Sequence, residues 1–79
     1  MDEVTHGSPG ERLRSLRTGQ GMSLEDLAEK VGVSKAAVAK WELGGAVPGV
    51  HTALAVALVL GVEVEVIWPP TDLHDEAAP

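Results

Sequence analysis

The 79-residue sequence predicts an all-α fold, a compact bundle of five short helices. Three observations predict it. Apolar residues recur at helical spacing in successive segments, serines and acidic residues stand where helices would begin, and glycines stand where they would end. The chain is near the lower size limit for an unassisted core, and it has no cysteine for a disulfide or a thiolate zinc site. One domain is therefore expected.

The first helix is predicted to begin after Ser8 and to run to about Thr18. The stretch SPGE that starts at Ser8 has the residue types of a capping box, with serine as N-cap, proline in the first turn and glutamate at the third helical position. Residues 1–7 are expected to be a flexible N-terminus, and the folded domain is expected to cover 8–70.

Residues 24–43, LEDLAEKVGVSKAAVAKWEL, are predicted to form two short helices that meet at a tight turn. The small side chain of Ala28 leaves room for the crossing, and Gly32 can adopt the positive φ that ends the second helix. Val38 and Trp41 share the inner face of the third helix. The alternative is an ordinary helical hairpin without a dedicated function.

The fourth helix is predicted at about 50–60, with Gly61 ending it. Residues 62–66, VEVEV, alternate as a strand does, but a lone strand beside four helices has no sheet to join. A short fifth helix at about 64–68 is therefore the favoured interpretation. Two prolines follow, and residues 71–79 are expected to be a disordered acidic tail.

Charge is distributed unevenly along the chain. The net charge is −6, yet all six basic residues lie between residues 10 and 45, where they outnumber the acids by one. The rest of the chain is strongly anionic, which would orient the domain on a polyanion but adds little to affinity. The N-terminus has no signal-peptide pattern, and no apolar run is long enough to cross a membrane, so a cytoplasmic location is expected.

The outward face of the predicted third helix is small and cationic, and it carries Lys35, Ala36, Ala39 and Lys40. A short helix of this kind, supported by a partner helix, has the shape that enters a DNA major groove. Lys35 can donate to guanine, the alanines can contact a thymine methyl group, and Lys40 can hold a phosphate. The alternative is that both lysines belong to a solvated helix face.

The 24–43 segment, the sequence WELG that closes helix 3 and the proline in the following loop resemble the Cro/C1-type helix-turn-helix family, which includes the phage repressors. The resemblance covers about residues 10–70. It implies a five-helix bundle of the phage repressor DNA-binding domain type, with the helix-turn-helix at helices 2 and 3. It also implies a structural salt bridge between Arg17 and Glu42. The residues it implies as DNA contacts are Ser34, Lys35, Ala36, Ala39 and Lys40. Ser23 and the N-terminus of helix 2 can also hold a phosphate through backbone N–H groups.

Helix 4 is apolar nearly all round, whereas a helix that covers one side of a small domain needs only one apolar stripe. This surplus suggests self-association. The residues expected at a dimer interface are Val56, Val59, Leu60 and Trp68. The alternative is that the fifth helix and Trp68 cover this surface within one chain.

Together these features predict a small sequence-specific regulator that binds double-stranded DNA, acting as a homodimer on a palindromic operator. The alternative is a protein-interaction module with the same fold and weak or no DNA binding. No catalytic residues, metal ligands or cofactor are expected, because there is no nucleophile–base pair or phosphate loop and the histidines at 6, 51 and 74 lack ligand-spaced partners. No small-molecule effector, enzyme activity or membrane association is evident.

Overall fold

The computed structural model describes residues 7–73. They form five α-helices and a final 3-10 turn, namely α1 (Pro9–Gly19), α2 (Leu24–Val31), α3 (Lys35–Leu43), α4 (Val50–Leu60), α5 (Val64–Ile67) and the turn Pro70–Asp72. No strand occurs in this part of the chain, so the predicted all-α five-helix bundle is confirmed and the strand interpretation of 62–66 is wrong. None of these described helices is long and apolar enough to span a membrane.

Serine side chains fix the start of each of the first three helices. The Ser8 hydroxyl accepts a hydrogen bond from the Glu11 N–H at 3.3 Å, while a Glu11 carboxylate oxygen accepts from the Ser8 N–H at 3.0 Å. Ser23 and Asp26 form the same reciprocal pair at α2. The Ser34 hydroxyl accepts from the Ala37 N–H at 3.0 Å. Each contact satisfies backbone donors that the helix itself leaves unpaired, and the predicted helix starts are confirmed.

The turn between α2 and α3 depends on Gly32, whose φ of 90° lies in the left-handed region that side chains with a Cβ disfavour. Its N–H donates to the Ala28 carbonyl at 2.8 Å, and the Val33 N–H donates to the same oxygen at 3.0 Å. These bonds end α2 at Val31, so that only three residues separate it from the start of α3.

The core lies where all five helices meet. It contains Leu13, Leu27, Ala28, Val38, Trp41, Ala53, Val56, Leu60, Ile67 and Trp68. The Trp41 and Trp68 rings meet edge to face, with centroids 6.3 Å apart and an angle of 88° between their planes. Trp68 therefore completes the core of its own chain, and the expectation that it lies at a dimer interface is wrong.

Helix α4 faces the core with two of the residues that were expected at a dimer interface. Packed against α2 and α5, it buries Val56 and Leu60, while Leu54 and Leu58 stay 49% and 81% exposed. Val59 is half-buried against the core. The interface assignment of Val56 and Leu60 is therefore wrong. Because both sides of α4 are apolar, helical periodicity alone does not tell which one faces inward.

The domain extends slightly beyond the predicted 8–70. Residues 71–73 are ordered rather than part of a disordered tail, since the 3-10 turn leads to Leu73, which packs against the core. At the other end, the Gly7 carbonyl accepts a hydrogen bond from Arg12. The rest of the predicted flexible N-terminus, residues 1–6, and of the predicted tail, residues 74–79, lies outside the described residues.

Gly10 lets the start of α1 touch the end of α3. A Cβ at this position would lie 2.3 Å from the Glu42 carbonyl oxygen and 2.7 Å from the Trp41 carbonyl oxygen. Both neighbours are backbone atoms of a helix end, which cannot rotate away as a side chain can. The approach of the two helices therefore requires glycine at this position.

We expect Gly10→Ala to destabilise the domain by about 1–3 kcal/mol, because the added methyl group must push α3 away from α1. The matched control is Gly19→Ala in the same helix, where a Cβ would meet nothing within 4 Å. Thermal unfolding followed by circular dichroism should show a melting temperature about 5–15 °C lower for the first variant. Equal melting temperatures for the two variants would contradict this account of the helix contact.

Candidate nucleic-acid interface

Helix α3 packs against α1 and α2 with one side and leaves the other open. Val38 and Trp41 point into the core, and Lys35, Ala36 and Lys40 are exposed on the outer side. Ala39 is half-buried. The residues predicted on α3 therefore share one accessible face, with a lysine at the start of the helix and another in its last turn.

Shallow concavities flank this face of α3 on both sides. One, of about 240 Å³, lies toward the loop after α3 and is lined by Ser34, Ala36, Ala37, Lys40, Trp41 and Ala46. The other, of about 210 Å³, lies toward the start of α2 and is lined by Arg14, Arg17, Leu24, Ala39, Glu42 and Leu43. Alanine side chains and Lys40 line the first, and the second combines apolar side chains with Arg14 and the ion pair of Arg17 and Glu42.

Ser23, the predicted contact at the start of α2, is already engaged in capping. Its N–H donates to an Asp26 carboxylate oxygen at 2.9 Å, and its hydroxyl oxygen accepts from the Asp26 N–H at 3.0 Å. The backbone and hydroxyl donors of Ser23 lower the pKa of Asp26. A phosphate at this helix end would have to approach an ionised carboxylate, so the phosphate contact of Ser23 stays a prediction.

The buried ion pair between Arg17 and Glu42 joins α1 to the last turn of α3. The Arg17 Nε lies 2.7 Å from Glu42 Oε2, and Nη2 lies 3.0 Å from Oε1, which is a two-point contact. Arg17 Nη1 also donates to the Met22 carbonyl at 2.8 Å. The hydrogen bond to Glu42 raises the pKa of Arg17. The predicted structural salt bridge is confirmed, and it positions the end of α3.

Arg12 has a structural role that the sequence did not indicate. Its guanidinium donates to the Val66 and Ile67 carbonyls, both at 2.9 Å, and so ties the end of α5 to α1. These bonds use the Arg12 guanidinium within the fold, so it is not available to hold a phosphate. Its partners are backbone carbonyls 54 and 55 residues away, for which a sequence carries no signal. Arg14, by contrast, is exposed beside α3.

Lys35 also has a neighbour that sequence reasoning missed. Its Nζ lies 3.8 Å from Glu25 Oε2, on the first turn of α2, and both side chains are mostly exposed. The two residues are ten positions apart and meet only because the turn brings α3 back against α2. Within residues 7–73, no group of three or more histidine, aspartate or glutamate side chains could hold a metal ion.

Comparison with known proteins gives consistent matches to this arrangement. A family model described as "Helix-turn-helix" matches residues 13–67. The HTH-type transcriptional activator BcrR of Enterococcus faecalis is 34% identical over 55 residues, which is 70% of this chain and 27% of BcrR. The SPbeta prophage-derived HTH-type transcriptional regulator YonR of Bacillus subtilis (strain 168) is 33% identical over 62 residues, which is 78% of this chain and 57% of YonR.

Among solved structures, the P22 c2 repressor in complex with a synthetic operator superposes with a TM-score of 0.75 at 26% identity. The match covers 80% of this chain and 97% of the repressor chain. The present chain spans about a quarter and just over half of the two curated relatives, whereas it matches nearly all of the repressor chain in that complex.

We expect Glu42→Ala to cost about 3–5 kcal/mol of stability, because it leaves the Arg17 guanidinium buried without its counter-charge. Denaturant unfolding measures this cost, with the exposed Glu29→Ala as the control for loss of one carboxylate. The double variant Arg17→Met, Glu42→Leu should recover much of the loss, since an apolar pair has no charge to desolvate. A cost no greater than that of Glu29→Ala would refute the structural role.

Proposed function

The chain belongs to the Cro/C1-type helix-turn-helix family, as its sequence predicted, and on that premise we propose that it is a sequence-specific transcriptional regulator that binds double-stranded DNA. In this proposal α3 enters the major groove, and two copies occupy a palindromic operator. The observation that carries it is the outer face of α3, where two lysines flank small side chains on a helix held rigidly from behind.

The residues of this face have different roles in the proposal. Lys35 donates to the acceptors on a guanine edge, and Lys40 holds a phosphate and so fixes the register of the helix. Ala36 and Ala39 let α3 approach the bases closely and contact thymine methyl groups. The Ser34 hydroxyl accepts from the Ala37 N–H but keeps its own proton for a phosphate oxygen.

The charge of one copy supports a modest affinity only. Of the basic residues, Arg17 is used by its pair with Glu42 and Arg12 by the end of α5, which leaves few cations for phosphates. A second copy would double those contacts and make the binding of each half-site effectively intramolecular. Dimerisation is therefore part of the proposal.

The exposed stripe of α4 is the surface we propose for the dimer, in place of the residues expected from the sequence. Leu54 and Leu58 are one helical turn apart, and α4 carries no charged residue. Around a two-fold axis this stripe would pack against its own copy, which satisfies the self-complementarity of a symmetric interface. Since α4 packs against α2 and α5, the stripe is separate from the open face of α3.

We expect Lys35→Glu to weaken binding to an operator duplex by about a hundredfold, because each of two protomers loses a base contact worth about 1–3 kcal/mol. The operator is obtained by selection from a random duplex pool, and affinity is measured by fluorescence anisotropy at several salt concentrations. Lys30→Glu, an exposed site at the end of α2, makes the same charge change away from α3.

Both variants should keep the thermal transition of the parent protein, since both lysines are exposed. Equal affinity of Lys35→Glu and Lys30→Glu would exclude α3 as the reading helix. Failure of the parent protein to enrich any sequence would instead favour the protein-interaction module.

For the dimer, we expect light scattering to give twice the chain mass for the parent protein and a single chain mass for Leu58→Glu. The charge would have to enter an apolar contact in the dimer but costs little on the exposed monomer surface. Leu43→Glu is the matched control, because Leu43 is 85% exposed but lies at the end of α3. A parent protein that stays monomeric at high micromolar concentration would refute the proposed interface.

A further inference from the structure

An ion pair lies at the edge of the proposed DNA-reading face. Lys35 is the first residue of α3, Glu25 is the second residue of α2, and their charged atoms are 3.8 Å apart. The Lys35 and Glu25 side chains are 59% and 73% exposed, so neither is held by packing. An exposed pair of this kind adds little to stability. An acid at this position also suits the first turn of α2, where the helix dipole favours negative charge.

Glu25 differs from the other two acids of α2. Asp26 is committed to the capping box with Ser23, and Glu29 lies one turn further along the helix. All three line the same concavity with Lys35, but only Glu25 pairs with it. Glu25 is therefore the carboxylate that would lie beside Lys35 when α3 contacts a duplex.

A carboxylate beside DNA is repelled by the phosphates. A hydrogen bond that it accepts from a base can offset this repulsion. In the major groove, a G·C pair presents two acceptors, guanine N7 and O6, followed by one donor, the cytosine N4 amino group. An A·T pair instead places its donor between two acceptors. A lysine ammonium that spans both acceptors, with a carboxylate beside it, satisfies all three groups of a G·C pair, whereas on an A·T pair the same two side chains leave one acceptor without a donor.

We propose that Glu25 is a specificity-determining residue that reads one G·C pair together with Lys35. Lys35 donates to guanine N7 and O6, and Glu25 accepts from the cytosine N4 amino group. This inference rests on the proposed DNA-binding function, and it adds a base contact from α2 to those of α3. It also gives the ion pair a use that stability does not provide.

The test compares the sequences enriched from one random duplex pool by the parent protein, Glu25→Gln and Glu29→Gln. Each variant replaces one exposed carboxylate of α2 by a neutral amide, but only Glu25→Gln removes the partner of Lys35. We expect the parent protein and Glu29→Gln to enrich the same operator. Glu25→Gln should show an about tenfold weaker preference for G·C at one position of each half-site. At the other positions it should keep the base preferences of the parent protein.

A second readout isolates the cytosine contact. In the selected operator, that cytosine is replaced by N4-methylcytosine, which keeps its pairing with guanine but has a methyl group in place of the amino hydrogen that faces the groove. Binding of the parent protein should fall about tenfold, whereas binding of Glu25→Gln should change much less.

Two results would overturn the inference while leaving the proposed function intact. In the first, Glu25→Gln binds every duplex more tightly by the same factor. This result would mean that Glu25 only offsets the charge of Lys35. In the second, Glu25→Gln enriches the same operator as the parent protein with the same base preferences. If the parent protein enriches no operator, the proposed function fails and this inference fails with it.

Discussion

Helix α3 has little apolar surface with which to hold itself in place. Of its nine residues, only Val38 and Trp41 are buried, and its outer side consists of alanines and lysines. Its position therefore depends on the two-point ion pair between Arg17 and Glu42. That pair acts at the last turn of α3, while the Ser34 cap and the turn at Gly32 fix the first. Because both ends of α3 are fixed in this way, its orientation does not require apolar residues on the outer side, which can be small or charged.

The same arrangement explains how an acidic chain can present a weakly cationic surface. Two of the three arginines of α1 are engaged by acceptors of the fold, Arg17 by a carboxylate and Arg12 by carbonyls at the end of α5. The charges left for a polyanion are then few, and three of them, Arg14, Lys35 and Lys40, lie on or beside α3. Sparse charge of this kind favours discrimination by base contacts over non-specific attraction to phosphates.

The features that the sequence predicts well are those encoded by neighbouring residues. Capping boxes, the left-handed turn at Gly32 and the inward pair of α3 all follow from spacings of four residues or fewer, and the helix bounds agree with the prediction almost throughout. The outward side of α4 could not be predicted, because both of its sides are apolar and the choice is made by packing against α2 and α5. The roles of Arg12 and Glu25 likewise depend on partners that only the tertiary fold brings near.

The edge-to-face contact of Trp41 and Trp68 places the two tryptophan rings of the chain against each other. Trp41 lies on the hidden side of α3, and Trp68 directly follows α5. The chain has two tryptophans and no tyrosine, so its near-ultraviolet emission comes from this one ring pair. A displacement of α3 relative to α5 changes the surroundings of both rings. The unlabelled protein thus carries an intrinsic fluorescence reporter directly behind its proposed reading surface.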